Sequence, residues 1–188
     1  MWRPSRSDWM TDPIDQPTSR PISQPTTRWA PMDFASFVAQ RRAPLVRTAV
    51  LLGCPPADAE DLVQTVLLKC FRSWHRVRRA DNPDGYVHRI LLTTLYDARK
   101  RRWNGELPTE ELPETPGTAP DWETGIAVRR ALAQLRPAER EVLVLRFYAD
   151  LSERDTAAAL GVAPGTVKSR TSRALAVLAP LVEVSDAR

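Results

Sequence analysis

The amino-acid sequence predicts an all-α protein of two small helical domains, and three features of the sequence support that fold class. Apolar residues recur at spacings of three, four and seven in several segments, which is the periodicity of helices with one buried face. No segment alternates between apolar and polar residues for long, so no strand is predicted. A proline-rich acidic stretch, residues 104–123, separates the two helical regions and predicts a flexible linker.

The composition is that of a folded protein with a small excess of positive charge. Of the 188 residues, 43% are hydrophobic and 27% are charged, with a formal net charge of +4. Such an excess is compatible with nucleic-acid binding, although its distribution matters more than its size. No stretch approaches the roughly 20 apolar residues that span a bilayer, and the amino terminus lacks the apolar segment of a secretory signal. The sequence therefore predicts a cytoplasmic protein without membrane insertion.

The first 31 residues are rich in Pro, Ser, Thr and Arg. A segment of this composition buries too little apolar surface to offset the entropy lost on ordering, so residues 1–31 are predicted to be a disordered extension. The sequence leaves the start of translation open among Met1, Met10 and Met32, since Met32 comes just before the first helical pattern.

The first domain is predicted over residues 32–103. Its first helical pattern begins at Phe34 and closes at Gly53, its second opens with acidic residues that complement the helix dipole, and its third ends in Arg99-Lys100-Arg101-Arg102. The residues predicted to face its core are Phe34, Phe37, Val38, Leu45, Val46, Ala49, Leu62, Val63, Val66, Leu67, Cys70, Phe71, Trp74, Tyr86, Val87, Ile90, Leu91 and Leu95.

The second domain is predicted over residues 124–183, and its strongest signal is a helix–short turn–helix pattern. Ser152 is predicted to cap the first helix, with Asp155 as the carboxylate of a capping box. Gly161 suits the left-handed position that ends a helix, and Pro164 suits the first turn of the next. This is the spacing of a DNA-reading helix-turn-helix unit. Ahead of it, the predicted core residues are Ala131, Leu132, Leu135, Val142, Leu143, Leu145 and Phe147.

The second helix of this unit combines short hydroxyl side chains with long cations. Cations reach phosphates or guanine edges, and hydroxyls permit close approach to the major groove. A solvated basic face on a structural helix is the alternative interpretation. The outward residues are Thr166, Lys168, Ser169, Arg170, Ser172 and Arg173, and the predicted inward stripe is Val167, Thr171, Ala174, Leu175 and Leu178.

Several stretches resemble one protein family, the extracytoplasmic-function (ECF) sigma factors of the sigma-70 family. Leu135-Arg-Pro-Ala-Glu-Arg-Glu-Val-Leu through Gly161, with Gly165-Thr-Val-Lys-Ser-Arg, is similar to their promoter-reading sigma domain 4. Asp58-Ala-Glu-Asp-Leu-Val-Gln-Thr-Val-Leu, Phe71-Arg-Ser-Trp74 and Asn82-Pro-Asp-Gly-Tyr-Val-His-Arg-Ile90 resemble sigma domain 2. The resemblance covers roughly residues 33–182 and implies a non-catalytic factor that binds bacterial core RNA polymerase and promoter DNA.

The resemblance also implies roles for individual residues. Asp58, Asp61 and Gln64 match the surface that docks on core polymerase, where a carboxylate beside an amide suits an arginine-rich helix. The outward residues of the helix-turn-helix match the reader of the minus-thirty-five element. Five residues match the part of the family that binds the minus-ten element: Arg89, Thr93, Tyr96, Arg99 and Lys100. Cations with an aromatic suit unpaired DNA. For both the polymerase-docking residues and the minus-ten residues, the alternative interpretation is a solvated helix face without a binding role.

Two residues depart from the family's pattern. Thr93 stands where the family usually has an Asn that helps to hold a flipped base, and threonine lacks the amide's paired donor and acceptor. The minus-ten base preference is therefore left open. Ala163 stands where many members have a capping Ser or Thr, a loss of about 1 kcal/mol of helix stability.

Other classes of function have less support. A conventional helix-turn-helix regulator would bind duplex DNA tightly by itself and would not join core polymerase, but it does not explain the basic, aromatic-bearing helix of the first domain. For an enzyme we find no phosphate loop and no nucleophile–His pair, and Glu139 and Glu141 are predicted to be solvated. No catalytic residue, cofactor or metal ligand is predicted, and Cys54 and Cys70 are interpreted as buried small hydrophobes. The promoter, the activating signal and an anti-sigma partner are left open.

Overall fold

The structure is a computed structural model that describes residues 32–103 and 122–186, with side chains for 32–103 and 125–180. The predicted disordered extension, 1–31, and residues 104–121 of the predicted linker lie outside the described residues. Within the described residues all regular structure is helical. The helices are α1 (Phe34–Leu51), α2 (Pro56–Arg72), α3 (Trp74–Arg79), α4 (Pro83–Trp103), α5 (Trp122–Ala133), α6 (Pro137–Leu143), α7 (Glu153–Leu160) and α8 (Pro164–Asp186). None of these described helices has the length and apolar character needed to cross a bilayer.

The first domain packs α1, α2 and α4 around a common apolar core. Asp33 caps α1 by accepting a hydrogen bond from the Ser36 amide at 2.7 Å. Gly53 takes a positive φ of 94° where α1 ends, and Pro56 opens α2. Fully buried side chains from all three helices form the core, among them Phe37, Val63, Val66 and Leu91.

Phe71 was predicted to face this core, and the structure shows that the prediction is wrong. Its side chain is 61% exposed, although its ring contacts that of Phe34 with the centroids 5.0 Å apart. Phe71 lies about 100° around the helix from the fully buried Cys70, because an α-helix turns about 100° per residue. It is therefore at the edge of the buried stripe, and Cys70 occupies the inner position.

The second domain contains α5 to α8, and α6 continues into a π-helical turn, Val144–Tyr148. The wider turn changes which side chains face inward after Leu145. Phe147, predicted to be buried, is consequently 64% exposed. On α8 the inner positions belong to Val167 and Ala174, whereas Leu175, also predicted to face inward, is largely exposed.

The two domains pack against each other, an arrangement that the sequence did not predict. Helix α4 of the first domain contacts α7 of the second. Buried residues from both domains belong to one continuous apolar cluster, which includes Leu52 and Leu95 from the first domain and Leu135 and Leu145 from the second. This packing brings the carboxyl-terminal half of α4 close to the helix-turn-helix unit.

Candidate nucleic-acid interface

The helix-turn-helix unit forms as predicted and depends on local signals in the sequence. The Ser152 hydroxyl accepts a hydrogen bond from the Asp155 amide at 3.0 Å, which caps α7. Gly161 then adopts the left-handed conformation, with φ 67°, and α8 begins at Pro164. One detail differs from a capping box, in which the Asp155 carboxylate would accept from the backbone amide of Ser152. Here the carboxylate accepts from the Ser152 hydroxyl at 2.5 Å. The turn thus fixes the direction in which α8 leaves the domain.

One side of α8 presents four exposed polar residues, named here the α8 face: Lys168, Ser169, Ser172 and Arg173. The Ser169 hydroxyl donates to the Thr166 carbonyl at 3.1 Å, so its lone pairs are left to accept from a partner. Arg173 Nε donates to the Ser169 carbonyl at 3.2 Å, which holds its guanidinium along the helix. The other two predicted contact residues, Thr166 and Arg170, are only partly exposed and lie at the edges of the α8 face.

The predicted minus-ten residues form a second surface, the α4 face, which consists of Arg89, Thr93, Tyr96, Arg99 and Lys100. The side chains of Arg89, Thr93 and Lys100 are exposed to solvent. Tyr96 is 40% exposed. Arg99 is partly buried, because its Nη2 donates to the Leu52 carbonyl at the end of α1, at 2.6 Å. Trp103 is almost fully exposed at the end of α4.

A shallow cavity of about 280 Å³ lies on the α4 face, lined by Tyr86, Arg89, Ile90 and Thr93. This volume is smaller than the sites that hold drug-sized ligands. Tyr86, predicted to be mainly a core residue, is half-buried and also forms part of the cavity wall.

Thr93 contributes to that cavity mainly as an acceptor. Its hydroxyl donates to the Arg89 and Ile90 carbonyls, at 3.1 and 3.0 Å, so its only proton is engaged by the backbone. A group in the cavity would therefore meet hydroxyl lone pairs from Thr93 and N–H donors from Arg89.

The predicted polymerase-docking residues are on α2. Asp61 and Gln64 are exposed, whereas Asp58 is half-buried and forms an ion pair with Arg102 of α4. Leu68 was not among the predicted residues; it is a largely exposed apolar residue two helical turns after Asp61 and hence on the same side of α2. Its spacing of seven residues from Asp61 was the signal in the sequence that could have placed Leu68 on this side of α2. Asp61, Gln64 and Leu68 are named here the α2 face.

Glu139 and Glu141 were predicted to be solvated, and this prediction is wrong because each is only 7% exposed. The Tyr96 hydroxyl hydrogen-bonds with the Glu141 side chain, and Arg99 and Arg170 are close enough to act on its charge. Burial raises the pKa of Glu141, although the Tyr96 hydrogen bond and these arginines oppose that shift. Burial, and then the Glu141 charge, raise the pKa of Tyr96. The burial of Glu141 had a signal in the sequence. Glu141 precedes the fully buried Leu145 by four residues, and this spacing places Glu141 on an inner side of α6.

Comparison with known proteins agrees with this geometry, which is that of a two-domain helical DNA-binding protein with a helix-turn-helix. Residues 37–105 match the family profile described as Sigma-70 region 2, and residues 126–178 match that described as Sigma-70, region 4. The chain is 38% identical over 152 residues to the RNA polymerase sigma-E factor of Streptomyces coelicolor, covering 78% of this chain and 84% of that protein. It is 32% identical over 179 residues to the ECF RNA polymerase sigma factor SigE of Mycolicibacterium smegmatis, covering 89% and 68%.

Solved structures with the same fold include those of RpoE and CnrH. The sigma factor RpoE of Bartonella quintana, in complex with the anti-sigma factor NepR, has a TM-score of 0.69 and 27% identity, covering 81% of this chain and 98% of that one. CnrH, in complex with the cytosolic domain of CnrY, has a TM-score of 0.57 and 26% identity, covering 84% and 94%. The chain belongs to the ECF group of the sigma-70 family of RNA polymerase sigma factors. It is accordingly a factor for transcription initiation that binds core RNA polymerase and promoter DNA, and the predicted family and fold class are confirmed.

Proposed function

We propose that the second domain, residues 124–183, reads the minus-thirty-five promoter element as duplex DNA through α8. The observation that carries this proposal is the exposed α8 face, which α7 and the Gly161 turn present at the surface. Its cations suit phosphates and guanine edges, and its hydroxyls allow the helix to approach the groove closely. Thr166 and Arg170 extend this surface at its edges.

Substitutions on the α8 face test that assignment. Lys168→Ala and Arg173→Ala should each weaken binding of the holoenzyme to a minus-thirty-five duplex. A residue that contacts a base should cost about 1–3 kcal/mol and relax specificity at one position, whereas a phosphate contact should weaken all sequences equally. Arg154→Ala is the matched control, since Arg154 is an exposed cation on α7 outside the α8 face. Equal losses from Arg154→Ala would argue against a reading role for α8.

For the first domain, residues 32–103, we propose that the α4 face binds the melted minus-ten element. An aromatic beside cations suits unpaired bases and their phosphates, and stacking contributes about 1–3 kcal/mol per base. The cavity bounded by Arg89 and Thr93 would take one flipped base. Binding energy for unpaired bases would then offset the few kcal/mol that unstacking requires, so opening needs no nucleotide hydrolysis.

The same domain is proposed to dock on core RNA polymerase through Asp58 and the α2 face. Asp61 and Gln64 offer a carboxylate and an amide to cationic partner groups, and Leu68 adds apolar area beside them. Asp58 forms an ion pair with Arg102. This ion pair links the start of α2 to the end of α4 and so holds the α2 face in place.

Gel filtration of the full chain with bacterial core RNA polymerase tests the docking proposal. The wild-type chain should co-elute with the polymerase, and Asp61→Arg should abolish co-elution because it reverses the one charge of the α2 face. Asp81→Arg serves as the control, since Asp81 is an exposed carboxylate in the turn before α4 and is not part of α2. Failure of the wild-type chain to co-elute, with tight duplex binding by the free chain, would favour a conventional helix-turn-helix regulator.

Three further assignments follow from the family. Sigma factors are non-catalytic, and we propose that this chain likewise has no enzymatic activity; purified protein should not turn over nucleotides. We propose that it acts in the cytoplasm, where core polymerase is present, which fractionation would test. Because the RpoE structure contains the anti-sigma factor NepR, we also propose control by an anti-sigma protein, which should prevent co-elution with core polymerase when bound.

A further inference from the structure

Helix α4, which carries the proposed minus-ten surface, begins with a turn that an ion pair ties to α1. Arg41 Nη2 on α1 lies 2.9 Å from Asp84 Oδ1 and 3.2 Å from Asp84 Oδ2, so the guanidinium engages both carboxylate oxygens. Asp84 belongs to the first turn of α4. Because the two residues are 43 positions apart in the chain, the ion pair fixes this turn to a distant helix.

Other polar contacts of the turn are local. The Asn82 side-chain oxygen accepts from the Gly85 amide at 2.9 Å, which caps the start of α4. Nδ1 of the buried His88 makes a hydrogen bond with the Asp84 carbonyl at 2.8 Å, within the helix itself. These contacts shape the turn, whereas the Arg41–Asp84 pair connects it to another helix in a fixed geometry.

The cavity of the α4 face lies on the opposite side of the helix from Asp84. An α-helix turns about 100° per residue, so the four residues that line the cavity are about 140–240° around the axis from Asp84. Arg41 thus holds α4 from behind the cavity and forms no part of its wall. Any effect of Arg41 on a base in the cavity must therefore pass through Asp84 and the backbone of α4.

The ion pair is shielded enough from solvent to act as a fixed contact. The side chains of Arg41 and Asp84 are 26% and 29% exposed, whereas those of a neighbouring pair, Arg42 and Glu60, are 52% and 49% exposed. Partly buried pairs are screened by salt much less than exposed pairs. The first turn of a helix otherwise frays easily, because its leading amides have no partner within the helix.

We propose that Arg41 is a positioning residue for minus-ten recognition, which acts through Asp84 to hold the first turn of α4 where it completes the cavity. Two residues of the cavity wall, Tyr86 and Arg89, follow directly after Asp84 along α4. Without the ion pair, the turn would occupy the binding-competent position for a smaller fraction of the time, and the apparent affinity falls in proportion to that fraction. The proposal rests on the proposed role of the α4 face and adds a residue that lies outside that face.

The sign of the Asp84→Ala effect separates positioning from ordinary electrostatics. Removing a negative charge normally strengthens binding to DNA, whereas loss of the ion pair should weaken it. In the holoenzyme, Asp84→Ala and Arg41→Ala should each bind a minus-ten single strand about two- to tenfold more weakly than wild type, the range of one hydrogen bond. Fluorescence anisotropy with labelled strands measures these affinities.

Three further measurements distinguish a displaced cavity from a general loss of stability. Four single strands that differ at one base should bind the variants with more similar affinities than they bind wild type, because a looser cavity discriminates less. Binding of a minus-thirty-five duplex by the same holoenzymes should not change. The double variant Arg41→Ala with Asp84→Ala should bind no more weakly than the weaker single variant, as expected for the two partners of one contact, and Arg41→Lys should recover most of the affinity.

Arg42→Ala and Glu60→Ala are the matched controls, because they break the neighbouring ion pair of 2.8 Å, which joins α1 to α2. Each holoenzyme is first isolated by co-elution, so that only assembled complexes are compared. Both controls should leave the minus-ten affinity and the base profile close to those of wild type.

The inference is overturned if Arg41→Ala and Asp84→Ala behave like these controls, or if Asp84→Ala tightens binding. A variant of the pair that no longer joins core polymerase would also overturn it, since the pair would then support the whole domain. Arg89→Ala tests the proposed function separately, because Arg89 is part of the cavity wall. Weaker minus-ten binding by Arg89→Ala would support the α4 face whatever the result for Arg41, whereas unchanged binding would argue against both.

Discussion

Tyr96 on α4 lies close enough to Glu141 on α6 for that carboxylate to raise the pKa of the tyrosine hydroxyl, after burial itself, so a residue proposed to stack on minus-ten bases also faces the other domain. The ring and the hydroxyl of this tyrosine thus serve different partners. The side chain is 40% exposed, so part of the ring is available for stacking, while the hydroxyl faces Glu141. Substitutions at Tyr96 can separate the two contributions.

Tyr96→Phe and Tyr96→Ala should have different effects on the binding of minus-ten single strands by the free chain. Phenylalanine keeps the stacking surface and releases Glu141, so affinity should be unchanged or tighter. Alanine removes the ring and should weaken binding by about 1–3 kcal/mol, the usual contribution of one stacked base. Fluorescence anisotropy with a labelled oligonucleotide measures both. Equal weakening by the two substitutions would mean that the hydroxyl itself contacts DNA.

Thr93 should set a base preference through its lone pairs, because its proton is donated to the Arg89 and Ile90 carbonyls. In the wild-type protein a base with an amino donor should be favoured at the cavity over thymine. Thr93→Val should lose this preference, while Thr93→Asn should admit thymine because an amide both donates and accepts. The expected change in relative affinity is about two- to tenfold, the effect of one hydrogen bond.

The measurement for Thr93 uses the holoenzyme and a set of minus-ten single strands that differ at one base. Wild type, Thr93→Val and Thr93→Asn should give three different base profiles. Identical profiles would show that the flipped base lies outside this cavity.

Local features were the ones that the sequence predicted well. Ser152, Gly161 and Pro164 each determine the backbone around them, so the helix-turn-helix could be placed from these residues alone. Helical periodicity likewise identified most of the buried side chains. Phe71 and Phe147 were misplaced because periodicity indicates the centre of a buried face but neither its edge nor a π-helical turn.

Contacts between distant parts of the chain were not predictable from local pattern. Charged residues are rarely buried, so a solvated Glu141 was the natural expectation. Its spacing from Leu145 indicated an inner side of α6, but not that Tyr96 and Arg99 of the first domain would lie beside it. Gly53 is another example. A Cβ at this position would lie 2.5 Å from Arg140 Nη1 of the second domain, so the glycine accommodates a neighbour from far along the chain.

The buried Glu141 should make stability depend on pH. Burial raises its pKa in the folded protein above the ordinary value of 4.5, so the folded state binds this proton more tightly than the unfolded state. The associated stabilisation is fully present below the unfolded pKa and is lost as pH rises through the folded pKa. Glu141→Gln cannot titrate, so its free energy of unfolding relative to wild type should increase across that window. Urea unfolding at a series of pH values measures the difference; parallel pH curves would contradict a raised pKa.

The turn of the helix-turn-helix offers a test with a matched pair of glycines. Gly161 has φ 67° and Gly165 lies in the first turn of α8 with no positive φ, and an added Cβ would meet no atom within 4 Å at either position. The two Gly→Ala changes therefore differ only in backbone conformation. Gly161→Ala should destabilise the protein by about 1 kcal/mol, since a left-handed conformation is unfavourable for alanine, and Gly165→Ala should stabilise it by about 0.5–1 kcal/mol. In thermal unfolding without DNA, Tm should move by about 2–4 °C per kcal/mol in opposite directions. Shifts of the same sign would mean that the turn does not require the left-handed conformation that sets the direction of α8.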